Sequence, residues 1–309
     1  MSTSPLGRTL VIANPAAHSG RGAQGATFAE RFLASYSSAT RGYELRLTTA
    51  PGDAELMAAE ADGFDTVVAL GGDGVIHEVA NGLMRRPAEG RAQLGVIPLG
   101  SGNDYARTLG MARNDVEAAL AQLVRGVSRP VEVGRVNGTH FVQTLSFGLD
   151  AAIALDTTDR RARDTSQEGE ALFVTSGIKI LSQARGGYAC AARFDGEPAR
   201  ELSTLVFAIQ VGPSYGGGFR ICPDASPCDG ALDVCYNVRV PALPHLLGLF
   251  GLARRGLHAR SSVVRLRRIR RAELDFEVAP PCQVDGERLE GSHFSVEVVP
   301  QALRVIFPR

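Results

Sequence analysis

With 309 residues, 44% of them hydrophobic, the chain has core-forming material for two folded domains and is not an intrinsically disordered polypeptide. Lys+Arg and Asp+Glu both number 33, so net charge gives no reason to expect nucleic acid as a partner. Lys179 is the only lysine, which excludes a P-loop, whose glycine-rich turn is followed directly by lysine, and leaves arginine or backbone amides to hold any phosphate.

The first ten residues contain no apolar signal core, and no run approaches the ~20 apolar residues of a membrane span, so the expected location is cytoplasmic. The cysteines Cys190, Cys222, Cys228, Cys235 and Cys282 are odd in number and form no Cys-x-x-Cys pair. They read as reduced thiols packed as small hydrophobes.

In chain order, residues 8–13 are a short β-branched run ending in a small-residue loop over 14–22, and a helix follows from about Gly25 to Ser35. Residues 43–48 alternate like a strand, and Pro51 opens a helix whose expected cap is Asp53. The apolar run Thr66 to Leu70 then meets Gly71-Gly72-Asp73-Gly74, with helical spacing at Ile76, Val79, Ala80 and Leu83. Strand, tight turn and helix start in that order make an anion site, because the first helical amides lack partners within the helix. Asp73 beside such a site makes sense as a magnesium partner or a hydroxyl orienter. Another strand, 92–97, leads into Pro98, Leu99, Gly100, Ser101, Gly102, Asn103 and Asp104 and a helix near Tyr105. Alternating strands and helices predict a parallel α/β sheet with the three loops at the strands' carboxyl ends. Asn103 and Asp104 also suit plain helix capping.

Near residue 130 the rhythm changes to hairpin signals at Asn137-Gly138, Asp195-Gly196 and Asp285-Gly286. Strand-like runs at 202–211, 231–238, 262–269, 272–278 and 294–299 predict a mostly antiparallel second half, interrupted by a charged segment from Asp156 to Glu170. The run 303–307 fits either domain. Residues 244–258 form a short apolar helix candidate, and the tract 254–271 holds eight arginines. That combination suits the surface of an anionic bilayer, and equally a half-buried helix followed by a strand with a solvated face.

Five motifs in order carry a resemblance: Asn14-Pro15 with Ser19-Gly20, Gly71-Gly72-Asp73-Gly74, the 98–104 loop, Pro223 to Ala225 with Asp229-Gly230, and Asp285-Gly286-Glu287. Together they resemble the diacylglycerol kinase catalytic-domain superfamily, which includes bacterial lipid kinases, sphingosine kinases and ceramide kinases and is distantly akin to NAD kinases and phosphofructokinases. The resemblance spans nearly the whole chain. It implies an α/β ATP-binding domain over 1–130, rejoined by 300–309, and an antiparallel β-sandwich lipid-substrate domain over 131–299. ATP would lie in the cleft, and the lipid hydroxyl would enter from the second domain.

By position, Asn14, Thr48, the segment Gly71, Gly72, Asp73, Gly74, Val75, Ile76, His77 and Glu78, together with Ser101, match the family's nucleotide contacts. Asn103 adds a neutral hydrogen bond. Asp229, with the carbonyls of Ser226 and Ala231, matches a structural magnesium site, although an Asp-Gly turn also explains the sequence. Asp285 is favoured as the general base, with Glu287 as partner or substitute. The Asp195-Gly196-Glu197 copy has no counterpart. The family usually has Thr and Asn where this chain has Val75 and His77.

The expected function is an ATP-dependent, Mg2+-requiring lipid kinase, most simply acting on diacylglycerol, or on a sphingoid or other glycerolipid, with Arg21 the first candidate for a further cation. A kinase of a soluble hydroxyl substrate, as in NAD kinases, and a non-catalytic lipid- or nucleotide-binding homologue are the alternatives. The expected partner is a lipid substrate at a membrane surface, peripheral on the inner face and not transmembrane; nucleic acid is not expected, and a homodimer is compatible.

Overall fold

Short, fully apolar strands need cover on both faces, and the first part of the chain supplies it by alternating them with helices. The computed structural model describes residues 4–35, 39–162, 169–182 and 186–309. It divides into unit 1, Met1–Glu132 with Gln301–Arg309, and unit 2, Val133–Pro300.

In unit 1 the strands β1 (Arg8–Ala13), β2 (Gly42–Leu47), β3 (Thr66–Gly71) and β4 (Gln93–Pro98) pair in parallel in the order β2-β1-β3-β4. Every residue of β3 and β4 is buried. The helices between and after them are α1 (Ala17–Ser35), α2 (Asp53–Ala59), α3 (Asp73–Met84), α4 (Asp104–Leu109) and α5 (Val116–Arg125). α1 packs with α5 and α2 with α3. The helix expected from about Gly25 begins earlier, but His18, Ser19 and Gly20 have left-handed torsions, so the loop after β1 persists inside α1.

Asp53 does not cap α2. Gly52 holds that position, and the Asp53 carboxylate turns back to accept from the Thr49 and Ala50 amides. Since β1 pairs with both β2 and β3, the strand order switches there, the place where an open α/β sheet leaves a crevice for ligand.

The following strands are β5 (Val127–Val136), β6 (Thr139–Phe141), β7 (Thr144–Gly148), β8 (Tyr188–Phe194), β9 (Arg200–Thr204), β10 (Val206–Gln210), β11 (Leu232–Asn237), β12 (Val264–Ile269), β13 (Arg271–Phe276), β14 (Cys282–Val284), β15 (Glu287–Arg288) and β16 (His293–Phe307). Unit 2 pairs β16, β13, β8 and β9 antiparallel, and a second antiparallel sheet runs β12-β11-β10-β7-β14-β15. Phe147, Phe207, Phe276 and Phe294 fill the space between the two sheets, with Phe147 and Phe294 centroids 4.8 Å apart. The two C-terminal runs read from the sequence are one strand, β16, with a left-handed Gln301 inside it. Its end belongs to unit 1, where Val305 pairs in parallel with Leu94.

The single charged interruption expected over 156–170 belongs to a larger helical layer: α6 (Leu149–Ala162), α7 (Gly169–Ser182) and α8 (Leu243–Ala253). Residues 163–168 of that expectation lie outside the described residues. These helices and the second sheet enclose a further apolar cluster that includes Ile153, Phe173, Phe219 and Leu246.

One carboxylate enters that layer. Asp150 is only 5% exposed, and its Oδ2 has no hydrogen-bond partner. It faces a cavity of about 70 Å³ shared with Cys235, Leu246, Phe250 and His258. Burial pushes its carboxyl up to about 7, against a hydrogen bond from Ser146 that pulls the other way. Above the unfolded value of 3.8 the folded protein therefore holds this proton more tightly, and the stability it contributes is lost as pH rises towards about 7. Asp150→Asn removes that loss. Urea unfolding at about pH 5 and about pH 8 should show the variant gaining on the parent by on the order of 2 kcal/mol at the higher pH; an unchanged difference would place the proton elsewhere.

Candidate nucleotide and phosphoryl-transfer site

Three loops of unit 1 are tied together by backbone bonds. Asn14 donates its amide to Leu70 O at 3.0 Å, Thr48 to Ala13 O at 2.9 Å, and Leu99 to Gly71 O at 2.8 Å. The turns after β3 and β4 then touch. A Cβ on Gly100 would sit 2.6 Å from the Gly72 Cα, so glycine at 100 is a condition of the contact. Gly22 is needed for a similar reason, since a Cβ there would lie 2.0 Å from the Asn14 carbonyl oxygen.

Gly72 precedes α3 in an extended conformation and no side chain caps the helix. The first amides of a twelve-residue helix thus open at the crevice end of β3, in an arrangement that favours an anion. Asp73, the first residue of α3, accepts the Tyr105 amide at 3.2 Å. A Cβ on Gly102 would come within 2.8 Å of Asp73 Oδ2 and 3.3 Å of Asp104 Oδ2, so two carboxylates flank that glycine. One or two carboxylates together with substrate phosphates are the usual surroundings of magnesium; Asp73 suits that role, while Asp104 Oδ1 already faces the Arg107 guanidinium at 3.6 Å.

The expected nucleotide contacts fall into two groups. Asn14, Gly71, Gly72, Asp73, Gly74, Ser101 and Asn103 come together at the β3 and β4 turns and the β1 loop. Ser101 is half-buried, with no hydrogen bond among the described residues. Thr48 is buried at the end of β2. Ile76 is fully buried in the core and offers the crevice no side chain. Glu78 is turned away: its Oε2 accepts the Ala54 amide at 3.1 Å and so closes the start of α2. Val75 is buried against its own turn, and a Cβ on Gly71 would meet its Cγ2 at 2.8 Å. His77 is also buried, one helical turn from Asn81, whose amide nitrogen lies 3.3 Å from the imidazole.

Plain capping by Asn103 is not what its side chain does. It occupies the N-cap position in a left-handed conformation without a cap bond, and its Nδ2 donates to Gly100 O and Asn114 Oδ1. Asn103 Oδ1 is buried without a hydrogen-bond partner. Asn114, which also accepts the Gly100 amide at 3.0 Å, is a residue that the sequence reading missed, since only its tertiary position ties it to the turn.

In unit 2 the two Asp-Gly-Glu copies separate. Both aspartates have positive φ, as a tight hairpin requires, and both clasp neighbouring backbone: Asp195 accepts from Arg270 and Arg271, and Asp285 from Val142, Gln143 and Thr144 at 2.8, 3.0 and 2.8 Å. The glutamates differ. Glu197 is paired with Arg267 and Arg200, and the Arg267 hydrogen bond above all pulls its carboxyl down to about 2. Glu287 is exposed, and its side chain has no ion pair or hydrogen bond among the described residues.

At the expected structural magnesium site, Asp229 Oδ2 pairs with Arg268 at 2.8 Å while Oδ1 accepts the Ala231 amide at 3.3 Å. Ser226 Oγ faces the Cys228 amide at 3.4 Å. The Arg268 guanidinium and the Ala231 amide therefore share this carboxylate.

Comparison with known proteins decides the family. Residues 8–136 match the diacylglycerol kinase catalytic domain, and residues 143–307, more than half of the chain, match the YegS C-terminal NAD kinase beta sandwich-like domain. The chain belongs to the diacylglycerol kinase and YegS-like lipid kinase family. It is 31% identical to a diacylglycerol kinase of Bacillus subtilis (strain 168) over 80% of both chains. It is 33% identical to a YegS-like lipid kinase of Pseudomonas aeruginosa (strain UCBPP-PA14) over 89% of this chain and 88% of the relative. A crystal structure of a diacylglycerol kinase from Bacillus anthracis str. Sterne shares the fold, with a TM-score of 0.75 at 22% identity over 99% of this chain and 98% of the other. An NAD kinase from Archaeoglobus fulgidus, solved with ATP, shares it more loosely at 0.55, with 14% identity over 98% of this chain and 93% of the other. Membership makes this a kinase family, and among the described residues no helix is long and apolar enough to cross a membrane.

Gly100→Ala forces the β3 and β4 turns apart. Calorimetric titration with ATP should show affinity reduced roughly tenfold, the scale of one overpacked contact, whereas Gly248→Ala, where a Cβ meets nothing, should leave it unchanged.

Proposed function

We propose that the protein transfers the γ-phosphoryl group of ATP to a lipid hydroxyl, most simply that of diacylglycerol. What supports this most is that a chain of this kinase family carries, each within its own unit, a glycine-lined anion site and a carboxylate, Glu287, whose side chain has no partner among the described residues.

In this reading the α3 amides and Ser101 hold the phosphates, and Arg21, exposed and without an ion pair among the described residues, adds positive charge. Asp73 would hold Mg2+, which when bound balances the charge on the phosphates. The lipid hydroxyl gives its proton to a carboxylate, its oxygen bonds to the γ-phosphorus, and the bond from that phosphorus to the bridging oxygen breaks, releasing ADP. The sequence favours Asp285 as the proton acceptor. Hydrogen bonding favours Glu287, because three backbone amides already engage the Asp285 carboxylate and no hydrogen bond among the described residues engages that of Glu287. Asp285 then acts through position, holding the hairpin that carries Glu287.

The deciding assay is transfer from radiolabelled ATP to diacylglycerol, monoacylglycerol, sphingoid base, ceramide and NAD. Labelled lipid supports the reading; label on NAD alone, or ATP binding with no labelled product, overturns it. Glu287→Gln should lower transfer by about 10² to 10⁴ with an unchanged melting temperature. Asp285→Ala should lower activity and also destabilise the fold by about 1–3 kcal/mol, since three amides lose their acceptor. Asp73→Ala should abolish transfer in the same assay.

A further inference from the structure

The most unusual surface in unit 2 is the outer face of α8. A helix bounded by core on one side normally shows charge on the other. On α8, Leu246, Leu249 and Ala253 are buried, and the opposite arc carries Leu243, Leu247 and Leu252, exposed by 42%, 39% and 45%, together with glycines. His245 is its only titratable side chain. Val238 and Val240, on the connection entering the helix, are 42% and 43% exposed, and Ile178 on α7 is 54% exposed beside Gly177, which packs on Phe250. This is a cluster of outward apolar side chains on one helix and its approach, not isolated leucines.

The stretch of chain that carries α8 has charge of one sign. From residue 234 to residue 272 the chain contains nine arginines and no Asp or Glu. Arg254, Arg267, Arg268 and Arg271 pair with acids from outside that stretch or at its edge. Arg239, Arg255, Arg260 and Arg265 have no ion pair among the described residues. Register places these cations close to the apolar tip: Tyr236 pairs with Arg265, the Val238 amide donates to Val263 O, and Val238, Arg265 and Leu266 line one groove of about 440 Å³. Arg255 follows directly on the last turn of α8.

We infer that this face is an interfacial docking surface for an anionic bilayer, with the α8 leucines seated among the acyl chains and the arginines on lipid phosphates. The proposal gives the lipid-kinase reading its means of reaching a membrane-held substrate, and rests on that reading for its purpose only. Charge complementarity selects the occupant. A second copy would bring the same arginines against themselves, whereas a bilayer with anionic headgroups presents the opposite charge above an apolar layer.

The test is cosedimentation of the protein, without ATP or acceptor lipid, with vesicles of phosphatidylcholine alone or with about one third phosphatidylglycerol. The parent should bind the anionic vesicles more tightly than the neutral ones and release them as salt rises. Arg239→Gln with Arg265→Gln should weaken that binding by about fivefold per arginine, and Leu247→Glu with Leu252→Glu by at least roughly tenfold. Should the glutamate pair unfold, Leu247→Ser with Leu252→Ser carries the same test. Undiminished binding by a folded leucine pair overturns the proposal, as does equal binding to both vesicles. A dimer by light scattering that the leucine pair converts to monomer, with vesicle binding unchanged, overturns it in favour of a second copy. Transfer to detergent-dispersed diacylglycerol, measured separately, tells failure of docking from failure of the kinase reading.

Discussion

The contact between Gly72 and Gly100 is the constraint on which the nucleotide end depends. Two strand-to-helix turns approach until there is no room for a side chain, and that approach aims the start of α3 into the crevice where the order of strands switches. The neighbouring bonds maintain the approach. Asn114 accepts from both the Gly100 amide and the Asn103 side chain, Leu99 donates to Gly71, and Asp73 reaches across to the Tyr105 amide. Because the approach is of backbone on backbone, relaxing it would shift whole turns rather than a single rotamer. Val75 belongs to the same economy of space, since it occupies the volume that a side chain on Gly71 would need.

Unit 2 uses one local device three times, with different results. Asn137-Gly138, Asp195-Gly196 and Asp285-Gly286 are all turns in which both residues have positive φ, and each polar side chain reaches a neighbouring strand: Asn137 to Ser295, Asp195 to Arg270 and Arg271, Asp285 to residues 142–144. The aspartates are therefore staples. What distinguishes the two Asp-Gly-Glu copies is the following glutamate, neutralised by two arginines at Glu197 and left without a partner among the described residues at Glu287. A carboxylate held on a fixed hairpin without a permanent cation can take and return a proton; one locked to arginine cannot do so readily.

Asp150 and α8 are two departures from ordinary burial in the same helical layer. A carboxyl lies inside among Cys235, Phe250 and His258, while leucines lie outside on the face that water would be expected to claim. Each costs stability in water, one by desolvating a charge and the other by exposing hydrocarbon. Both therefore mark positions where packing alone does not account for the residue.

The alternation of strand and helix, the glycine turns that permit close backbone approach, the hairpins at Asx-Gly and the lack of a P-loop lysine are all legible in the residues, because each follows from local torsional freedom or from residue type. The sequence was also enough to carry the family resemblance. Which side chains those turns bring together depended on the folded arrangement. It turned Glu78 onto the start of α2, buried Ile76 and Val75, set Arg268 on Asp229, brought Asn114 from a later loop to Gly100, and joined two apparent C-terminal strands into β16. The reason is physical: a turn type is written in a few adjacent residues, whereas the partner of a carboxylate is set by elements distant along the chain.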